Sequence, residues 1–302
     1  MEREKILVTG VAGFIGSEIA NKLLELGYEV YGIDDLSSGE KSKIPKEVNF
    51  IEADLSNVSS LAKIPSNVKY IMHLSGQSSG EISFDDPILD LQKNTHSTLN
   101  LISYMIKNDV ENIIYASSMS VYGEVENIPI NEDYKTKPLS CYGVGKLASE
   151  HYLQIMLPRK NVTILRMFNV YGPGQNLENL KQGMVSIFLS QALNSNKIEV
   201  KGSVKRWRDF IYIDDVVDAW IKSINLVGHN IFNLGSGKKT FVKELLDEIK
   251  KIFPSSEIII SNSTLGDQFG IYSDNSKIKE KLKISKFTSL RDGVKKFAEW
   301  SA

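Results

Sequence analysis

The sequence predicts an α/β protein built on a doubly wound parallel sheet, with a smaller α/β lobe toward the C-terminus. Three observations lead to this prediction. Short apolar runs alternate with longer segments of helical period through the first 170 residues. The strand-like runs are apolar on both faces, which is typical of a parallel sheet covered by helices on each side. Beyond about residue 170 the alternation becomes irregular, which indicates a second unit of different architecture.

The predicted elements follow in order along the chain. Strands are expected at residues 6–8, 29–33, 48–51, 70–74, 113–116 and 162–167, and helices at 14–26, 87–107 and 142–157. After a break at 172–174 come a helix at 184–193 and a strand at 197–200. Residues 209–213 and 231–234, with a helix at 214–224 between them, are expected to return to the main sheet, and helices at 240–252 and 290–300 close the chain. The predicted domains are therefore residues 1–170 plus 209–235, and residues 171–208 plus 236–302.

Composition excludes several classes of protein. The chain has 302 residues, 42% of them hydrophobic and 24% charged, and a net charge of -1, so nothing global indicates binding to nucleic acid or to a membrane surface. The single cysteine, Cys141, rules out an intramolecular disulfide and is compatible with a reducing compartment. No signal-like segment and no 18-residue apolar run is present, so a cytoplasmic location is expected. The four histidines lack metal-ligand spacing, which predicts no metal site.

Three glycines directly after the first strand suit a dinucleotide-binding turn. Gly10, Gly13 and Gly16 leave room for a tight turn, close approach of a pyrophosphate and close helix–strand contact, and the next helix offers its N-terminal amides. Asp34 ends the second strand, where a carboxylate accepts bonds from the adenosine ribose hydroxyls but repels a 2′-phosphate. This favours NAD over NADP. Asp54, after the third strand, is placed to meet the adenine amino group. The alternative is a set of turn glycines and helix-capping aspartates.

A second group of residues is typical of acid–base chemistry on a hydroxyl group. Tyr142 and Lys146 are four residues apart on one helix, so their side chains share a face. A tyrosine with a free pKa of about 10 becomes a usable base when an ammonium and a cationic nicotinamide stabilise its phenolate. Ser118, at the end of the fifth strand, can hydrogen-bond the reacting oxygen. The alternative for the pair alone is a surface tyrosine beside a solvated lysine.

These residues resemble the extended short-chain dehydrogenase/reductases, and within them the NAD-dependent nucleotide-sugar epimerases of the UDP-glucose 4-epimerase type. The resemblance covers nearly the whole chain and implies a Rossmann-type fold for the main domain. The further segments that carry it are 73–77, Asn94 with 98–101, 166–175, 208–215 and 232–237.

The resemblance implies roles for further residues. In addition to the glycines, Asp34 and Asp54, the residues implied to bind NAD are Phe14, Ile15, Asp35, Ser38, Leu55, Leu74, Ser75, Gly76, Gln77, Asn94, Tyr142 and Lys146. Those implied to bind the nucleotide-sugar are Ser118, Ser120, Tyr142, Asn169, Arg208 and Ile271, with Asn169 and Arg208 on the diphosphate. In this family the helix at 87–107 and the helix bearing Tyr142 form a dimer interface, so a homodimer is implied.

The implied activity is inversion of the C4 hydroxyl of a UDP-hexose or UDP-N-acetylhexosamine through a transient 4-ketone. Family dehydratases carry an Asp-Glu pair after the catalytic serine or threonine, where this chain has Met119 and Ser120, so elimination of water is not expected. Thr264 replaces an arginine found in many members, which leaves the nucleotide base open. At a position that often limits sugar size in this family stands Ile271, which is smaller than the tyrosine that restricts the pocket and leaves room for an N-acetylated sugar. The alternatives are a 4-ketoreductase or dehydrogenase, an epimerase for another nucleotide or carbon, and a non-catalytic NAD-binding protein.

Overall fold

A computed structural model describes residues 3–181, 183–262 and 268–301. Thr264, at the departure from the family pattern, lies outside the described residues. The strands are β1 Lys5–Thr9, β2 Glu29–Asp34, β3 Asn49–Glu52, β4 Tyr70–His73, β5 Asn112–Ser118, β6 Asn161–Met167, β7 Asn169–Tyr171, β8 Lys197–Lys201, β9 Trp207–Arg208, β10 Phe210–Tyr212, β11 His229–Leu234, β12 Thr240–Phe241 and β13 Glu257–Ser261. The helices are α1 Phe14–Glu25, α2 Ile82–Asp85, α3 Pro87–Leu91, α4 Ser97–Asn108, α5 Cys141–Met156, α6 Met184–Ser195, α7 Ile213–Lys222, α8 Val242–Ile252, α9 Ser276–Leu282 and α10 Leu290–Ser301.

The predicted doubly wound sheet is confirmed. Seven parallel strands lie in the order β11-β6-β5-β4-β1-β2-β3. The order reverses between β1 and β4, and in such sheets ligands bind outside the carboxyl ends of the strands at this point. Within the described part of the chain, none of the helices is long and apolar enough to cross a membrane.

Both faces of the sheet are buried, as the apolar runs predict. Ile6 and Val8 of β1 join a core that includes residues of α1 and α7, whereas Leu7 between them joins a second core with residues of α4 and α5. Successive residues of a strand point to opposite faces, so a fully apolar strand supplies two cores at once. The burial of β1 on both faces therefore fixes the position of the glycine turn that follows it.

The predicted helix at 87–107 is interrupted. Residues Gln92–His96 form a π-helical segment between α3 and α4. Two hydroxyl groups of the next turn donate hydrogen bonds to backbone carbonyls of this segment. Ser97 Oγ donates to Lys93 O, and Thr98 Oγ1 donates to Asn94 O at 2.7 Å. Such segments are rare and often occur at functional sites. Here the segment faces the carboxyl ends of the sheet strands.

The prediction that residues 209–213 return to the main sheet is wrong. Strand β10 pairs in parallel with β7, outside the seven-stranded sheet, in a register that places Phe210 opposite Asn169. The position beside β6 is already taken by β11, so residues 231–234 do return as predicted. Two further two-stranded sheets, β9 with β12 and β8 with β13, complete the C-terminal part of the described chain.

Candidate active site

The glycine turn after β1 forms an open cradle. Gly10 has a φ of +71°, and a Cβ there would lie 2.8 Å from the backbone nitrogen of Ser75. A Cβ on Gly16 would overlap the Gly10 carbonyl oxygen, so this residue allows α1 to approach β1 closely. A Cβ on Gly13 would meet no described atom nearer than that same oxygen, at 3.2 Å. Gly13 also caps α1 without a side-chain hydrogen bond, which leaves the helix N-terminus facing the opening.

Asp34 lies beside this cradle and is held by backbone amides. Its Oδ2 accepts a hydrogen bond from Ala12 N at 3.0 Å, and its Oδ1 accepts one from Leu36 N at 2.9 Å. Burial raises the pKa of Asp34, and these two hydrogen bonds oppose the rise. The carboxylate therefore keeps a fixed orientation at the end of β2. Ser38, four residues on, is exposed on the same loop.

Asp35 and Asp54 meet at the ends of β2 and β3, where a lysine joins them. Lys93 Nζ lies 2.5 Å from Asp35 Oδ2 and 2.7 Å from Asp54 Oδ2. Lys93 belongs to the π-helical segment and was not singled out by the sequence motifs. Leu55, which follows Asp54, is buried beneath this corner of the site.

The predicted catalytic residues come together at the ends of β5 and α5. Ser118 is the last residue of β5, and its Oγ accepts a hydrogen bond from Ser120 N at 3.1 Å. Ser140 caps α5 by accepting from Gly143 N, which places Tyr142 in the first turn. Lys146 Nζ lies 5.6 Å from the centroid of the Tyr142 ring.

Burial acts on both members of this pair. It raises the pKa of Tyr142 to about 12, although the nearby Ser118 hydroxyl opposes the rise. It lowers the pKa of Lys146 to about 8, while the charges of Asp90 and Glu150 oppose this decrease. A positive charge beside Tyr142 would favour the phenolate and oppose this rise.

Asp90 and Asn94 lie against the catalytic helix. Asp90 is buried, and its Oδ1 accepts hydrogen bonds from Gln77 Nε2 at 2.9 Å and Asn94 Nδ2 at 3.1 Å. Gln77 also donates to the carbonyl of Ser79, at 2.7 Å, so its amide supports the loop after β4. A Cβ built on Gly145, the neighbour of Lys146, would lie 3.5 Å from Asp90 Oδ2. Asp90 thus places a buried carboxylate beside Lys146. The sequence motifs did not identify Asp90.

The residues of the cradle fit a dinucleotide. Asn94 Oδ1 is buried and has no hydrogen-bond partner among the described residues, so it is available to a ligand. A Cβ on Gly76 would overlap this oxygen and would lie 3.5 Å from Lys146 Nζ, so only glycine fits at this position. Leu74 and Ser75 both donate their amides to Thr9 Oγ1 at 3.0 Å, which holds the β4 loop against the cradle. Phe14 and Ile15 are the first two residues of α1, on the other side of the cradle.

A cavity of about 420 Å³ lies between the sheet and the C-terminal part of the chain. Met119, Ser120 and Ser140 form the end nearest the catalytic residues, and both predicted diphosphate residues also line it. Arg208 is buried and donates to the carbonyls of Trp207 and Gln268, each at 2.8 Å. Asn169 Nδ2 donates to the carbonyl of Asp209 at 3.1 Å. The cavity therefore brings a guanidinium and a carboxamide to one wall.

Two further residues near this wall are both buried. Ile271 is fully buried in a cluster with Tyr122, Phe168 and Val121, and it is not among the residues that line the cavity. Met119, which packs against the same cluster, does line the cavity. Arg206 is buried at the cavity and donates to the carbonyl of Ser203 at 3.2 Å.

His73 has a structural environment. His73 is fully buried between two threonines, with its ring nitrogens 2.8 Å from Thr9 Oγ1 and 2.9 Å from Thr98 Oγ1. Burial lowers the pKa of His73 to about 3, so the ring is neutral and ties β1 and β4 to α4. Within the described residues, no cluster of histidine, cysteine and carboxylate groups could hold a metal ion.

Comparison with known proteins assigns the family. A sequence profile of the NAD dependent epimerase/dehydratase family matches residues 6–235, and the chain belongs to this family. It is 35% identical to a putative UDP-glucose 4-epimerase of Methanocaldococcus jannaschii, over 98% of this chain and 97% of that protein. It is also 32% identical to a dTDP-4-dehydro-6-deoxyglucose reductase of Escherichia coli, over 81% of this chain and 80% of that protein.

Solved structures give the same result for the fold. The UDP-glucose 4-epimerase of Thermotoga maritima, solved with UDP-glucose, superposes with a TM-score of 0.95 at 34% identity, covering 98% of each chain. The UDP-glucose 4-epimerase of Thermus thermophilus, solved with NAD, superposes with a TM-score of 0.92 at 28% identity, again covering 98% of each chain.

Proposed function

We propose that the protein is an NAD-dependent nucleotide-sugar 4-epimerase that acts on a UDP-hexose or UDP-N-acetylhexosamine. The observation that supports this most directly is the position of Ser118, Tyr142 and Lys146 between two sites. On one side is a cradle that fits a dinucleotide, and on the other a cavity with a buried arginine. The similarity to UDP-glucose 4-epimerases over nearly the full length supports the same assignment.

The residues divide the chemistry between them. Tyr142 takes the proton of the C4 hydroxyl, and Ser118 holds the same oxygen by a hydrogen bond. Bound NAD supplies a site that accepts the C4 hydride and returns it. Lys146 keeps its positive charge beside the phenol and so favours the phenolate. After the 4-ketosugar turns in the cavity, hydride returned to the opposite face of C4 would invert that carbon, and Tyr142 gives its proton back to the C4 oxygen.

The cofactor assignment rests on the cradle and on Asp34. The glycine turn and the N-terminus of α1 would hold the pyrophosphate, and Asp34 would accept hydrogen bonds from the adenosine ribose. The unpartnered Asn94 oxygen lies close to the catalytic end of the same groove. A 2′-phosphate would meet a carboxylate at Asp34, so NAD is the expected dinucleotide.

The substrate assignment rests on the cavity wall. Arg208 offers a charged, fixed donor group, which suits a diphosphate better than a flexible lysine does. Asn169 supplies a carboxamide on the same wall. With Met119 and Ser120 in place of an acid–base pair, the chain lacks the groups that elimination of water would require at this position.

We also propose that the protein forms a homodimer. Apolar side chains of α3 and α5 are exposed on one side of the sheet, namely Ile88, Leu91, Val144 and Ile155. Leu101 and Met105, which share the predicted long helix, are buried within the protomer and contribute to its core instead.

Two other expectations stay predictions. They are a nucleotide-sugar lobe formed by residues 171–208 plus 236–302, and a cytoplasmic location.

Proton NMR tests the proposed activity. The purified protein is incubated with UDP-glucose or UDP-N-acetylglucosamine without added NAD, and with Tyr142→Phe as the control. A new anomeric signal that grows to a constant ratio in the wild type alone is the expected result, because an epimerase recycles its cofactor. Unchanged spectra would contradict the proposal. Consumption of NADH with a nucleotide 4-ketosugar would then favour the reductase, the activity of the Escherichia coli relative.

A further inference from the structure

Lys93 joins two carboxylates at the adenosine end of the candidate cofactor site. Its ammonium nitrogen lies 2.5 Å from Asp35 Oδ2 and 2.7 Å from Asp54 Oδ2. The side chains of Lys93, Asp35 and Asp54 are 20%, 23% and 38% exposed, so the lysine and Asp35 are partly buried and Asp54 is the more open partner. Partly buried ion pairs are screened less by salt and hold a more defined geometry than surface pairs do.

Each carboxylate is fixed from two sides. The second oxygen of Asp54 accepts a hydrogen bond from Ser56 N at 2.8 Å, and that of Asp35 accepts one from Ser37 N at 3.0 Å. Burial acts to raise the pKa of both groups, but the hydrogen bonds from Lys93 and from Ser37 or Ser56, together with the Lys93 charge, hold each pKa below its ordinary value. Both aspartates are therefore ionised and oriented at neutral pH.

The position of Lys93 depends on the π-helical segment. Lys93 reaches the ends of β2 and β3, whereas the next residue, Asn94, directs its free oxygen toward Gly76 near Lys146. Consecutive side chains thus serve the adenosine end and the catalytic end of one groove. Without Lys93, two neighbouring carboxylates would repel each other and would also repel an anionic dinucleotide.

We propose that Lys93 is a positioning residue for cofactor specificity, which holds Asp54 in the orientation that reads the adenine amino group. The inference rests on the proposed binding of NAD at this cradle. A carboxylate that turned freely would lose its selectivity for a base with an amino group over a base with a carbonyl group. A fixed carboxylate accepts a hydrogen bond from adenine and repels the carbonyl oxygen of hypoxanthine.

Competition between two dinucleotides tests this inference. The protein is equilibrated with an equimolar mixture of NAD and nicotinamide hypoxanthine dinucleotide, freed of unbound nucleotide and denatured, and the released nucleotides are quantified by chromatography. The wild type is expected to retain NAD preferentially. In Lys93→Met, the ratio of NAD to analogue should fall about tenfold, the value of one charge-assisted hydrogen bond.

Three controls separate specificity from folding. Lys41→Met removes a lysine that pairs with Glu52 of β3 at 3.3 Å and is 67% exposed, and it should keep the wild-type ratio. Lys93→Arg should restore the ratio, because it returns a cation. Lys93→Gln serves if the methionine variant does not fold. A wild-type ratio in both Lys93→Met and Lys93→Gln would overturn the inference. A wild-type protein that retains neither dinucleotide would refute the NAD assignment itself.

Discussion

The glycine cradle allows stability and cofactor binding to be separated by two alanine substitutions. Gly13 has ordinary extended backbone angles, with φ -82° and ψ 170°, so alanine adopts them without strain. The added methyl group would lie 3.2 Å from the Gly10 carbonyl oxygen, which requires only a small adjustment. Replacing an N-cap glycine by alanine costs about 1 kcal/mol. For a chain of this length, that corresponds to a decrease in Tm of about 2 °C.

The same methyl group would stand where the pyrophosphate must approach the backbone. Overfilling a close-packed contact costs about 1–3 kcal/mol, so Gly13→Ala should weaken the retention of NAD by roughly 10- to 100-fold. Gly27→Ala is the matched control. Gly27 has a φ of +87°, and a Cβ there would meet no described atom within 4 Å. Alanine at this position costs about 1–2 kcal/mol of backbone strain without touching the cradle.

The two variants should therefore lose different properties: Gly27→Ala loses stability alone, whereas Gly13→Ala also loses NAD binding. Calorimetry should show that Gly27→Ala lowers Tm at least as much as Gly13→Ala does. Quantification of retained nucleotide should show that only Gly13→Ala loses NAD. If Gly13→Ala binds NAD as the wild type does, the pyrophosphate does not lie against this turn. If both variants lose NAD in proportion to their loss of stability, the effect is one of folding and the reasoning fails.

Three further substitutions test the remaining parts of the site. Tyr142→Phe should preserve Tm and reduce turnover by about 100-fold or more, because the proton acceptor is gone, and near-normal turnover would remove Tyr142 from catalysis. Asp34→Ala should narrow the difference between the dissociation constants of NAD and NADP, and an unchanged difference would show that another group reads the ribose. Asp90→Asn should move both limbs of the pH–activity profile to lower pH, since the Asp90 charge raises the pKa of both Tyr142 and Lys146. A lower rate with an unmoved profile would assign Asp90 a purely structural role.

Most of the main sheet could be predicted from the sequence, because each of its strands is a local apolar run. The strands of the main sheet and the helices after β1 and β5 lie within a few residues of their predicted bounds. Strand β10 could not be placed in the same way. Its three residues are apolar enough for either sheet, and its partner was decided by β11, which lies later in the chain and occupies the edge beside β6.

The site was predictable where residues belong to a contiguous motif and not where they meet only in space. The cradle and the Tyr142–Lys146 pair are local patterns, and the structure places them as the spacing indicates. Lys93 and Asp90 act across the groove on residues of other elements, so no sequence spacing identifies them. The burial of Ile271 was not predictable either, because a position in the sequence does not reveal which way its side chain faces.

The π-helical segment between α3 and α4 has a consequence for how this chain can evolve. A π-turn holds one residue more than an α-turn, so residues 92–96 amount to an α-helix with a single insertion. Deleting one residue here would leave a regular helix that the backbone readily forms. Because the wide turn absorbs that residue, α3 and α4 would keep nearly the same relative orientation, with Asp90 still beside Gln77. What would change is the turn itself, whose consecutive residues Lys93 and Asn94 reach opposite ends of the groove. The number of residues in this turn therefore matters to the site as much as their identity.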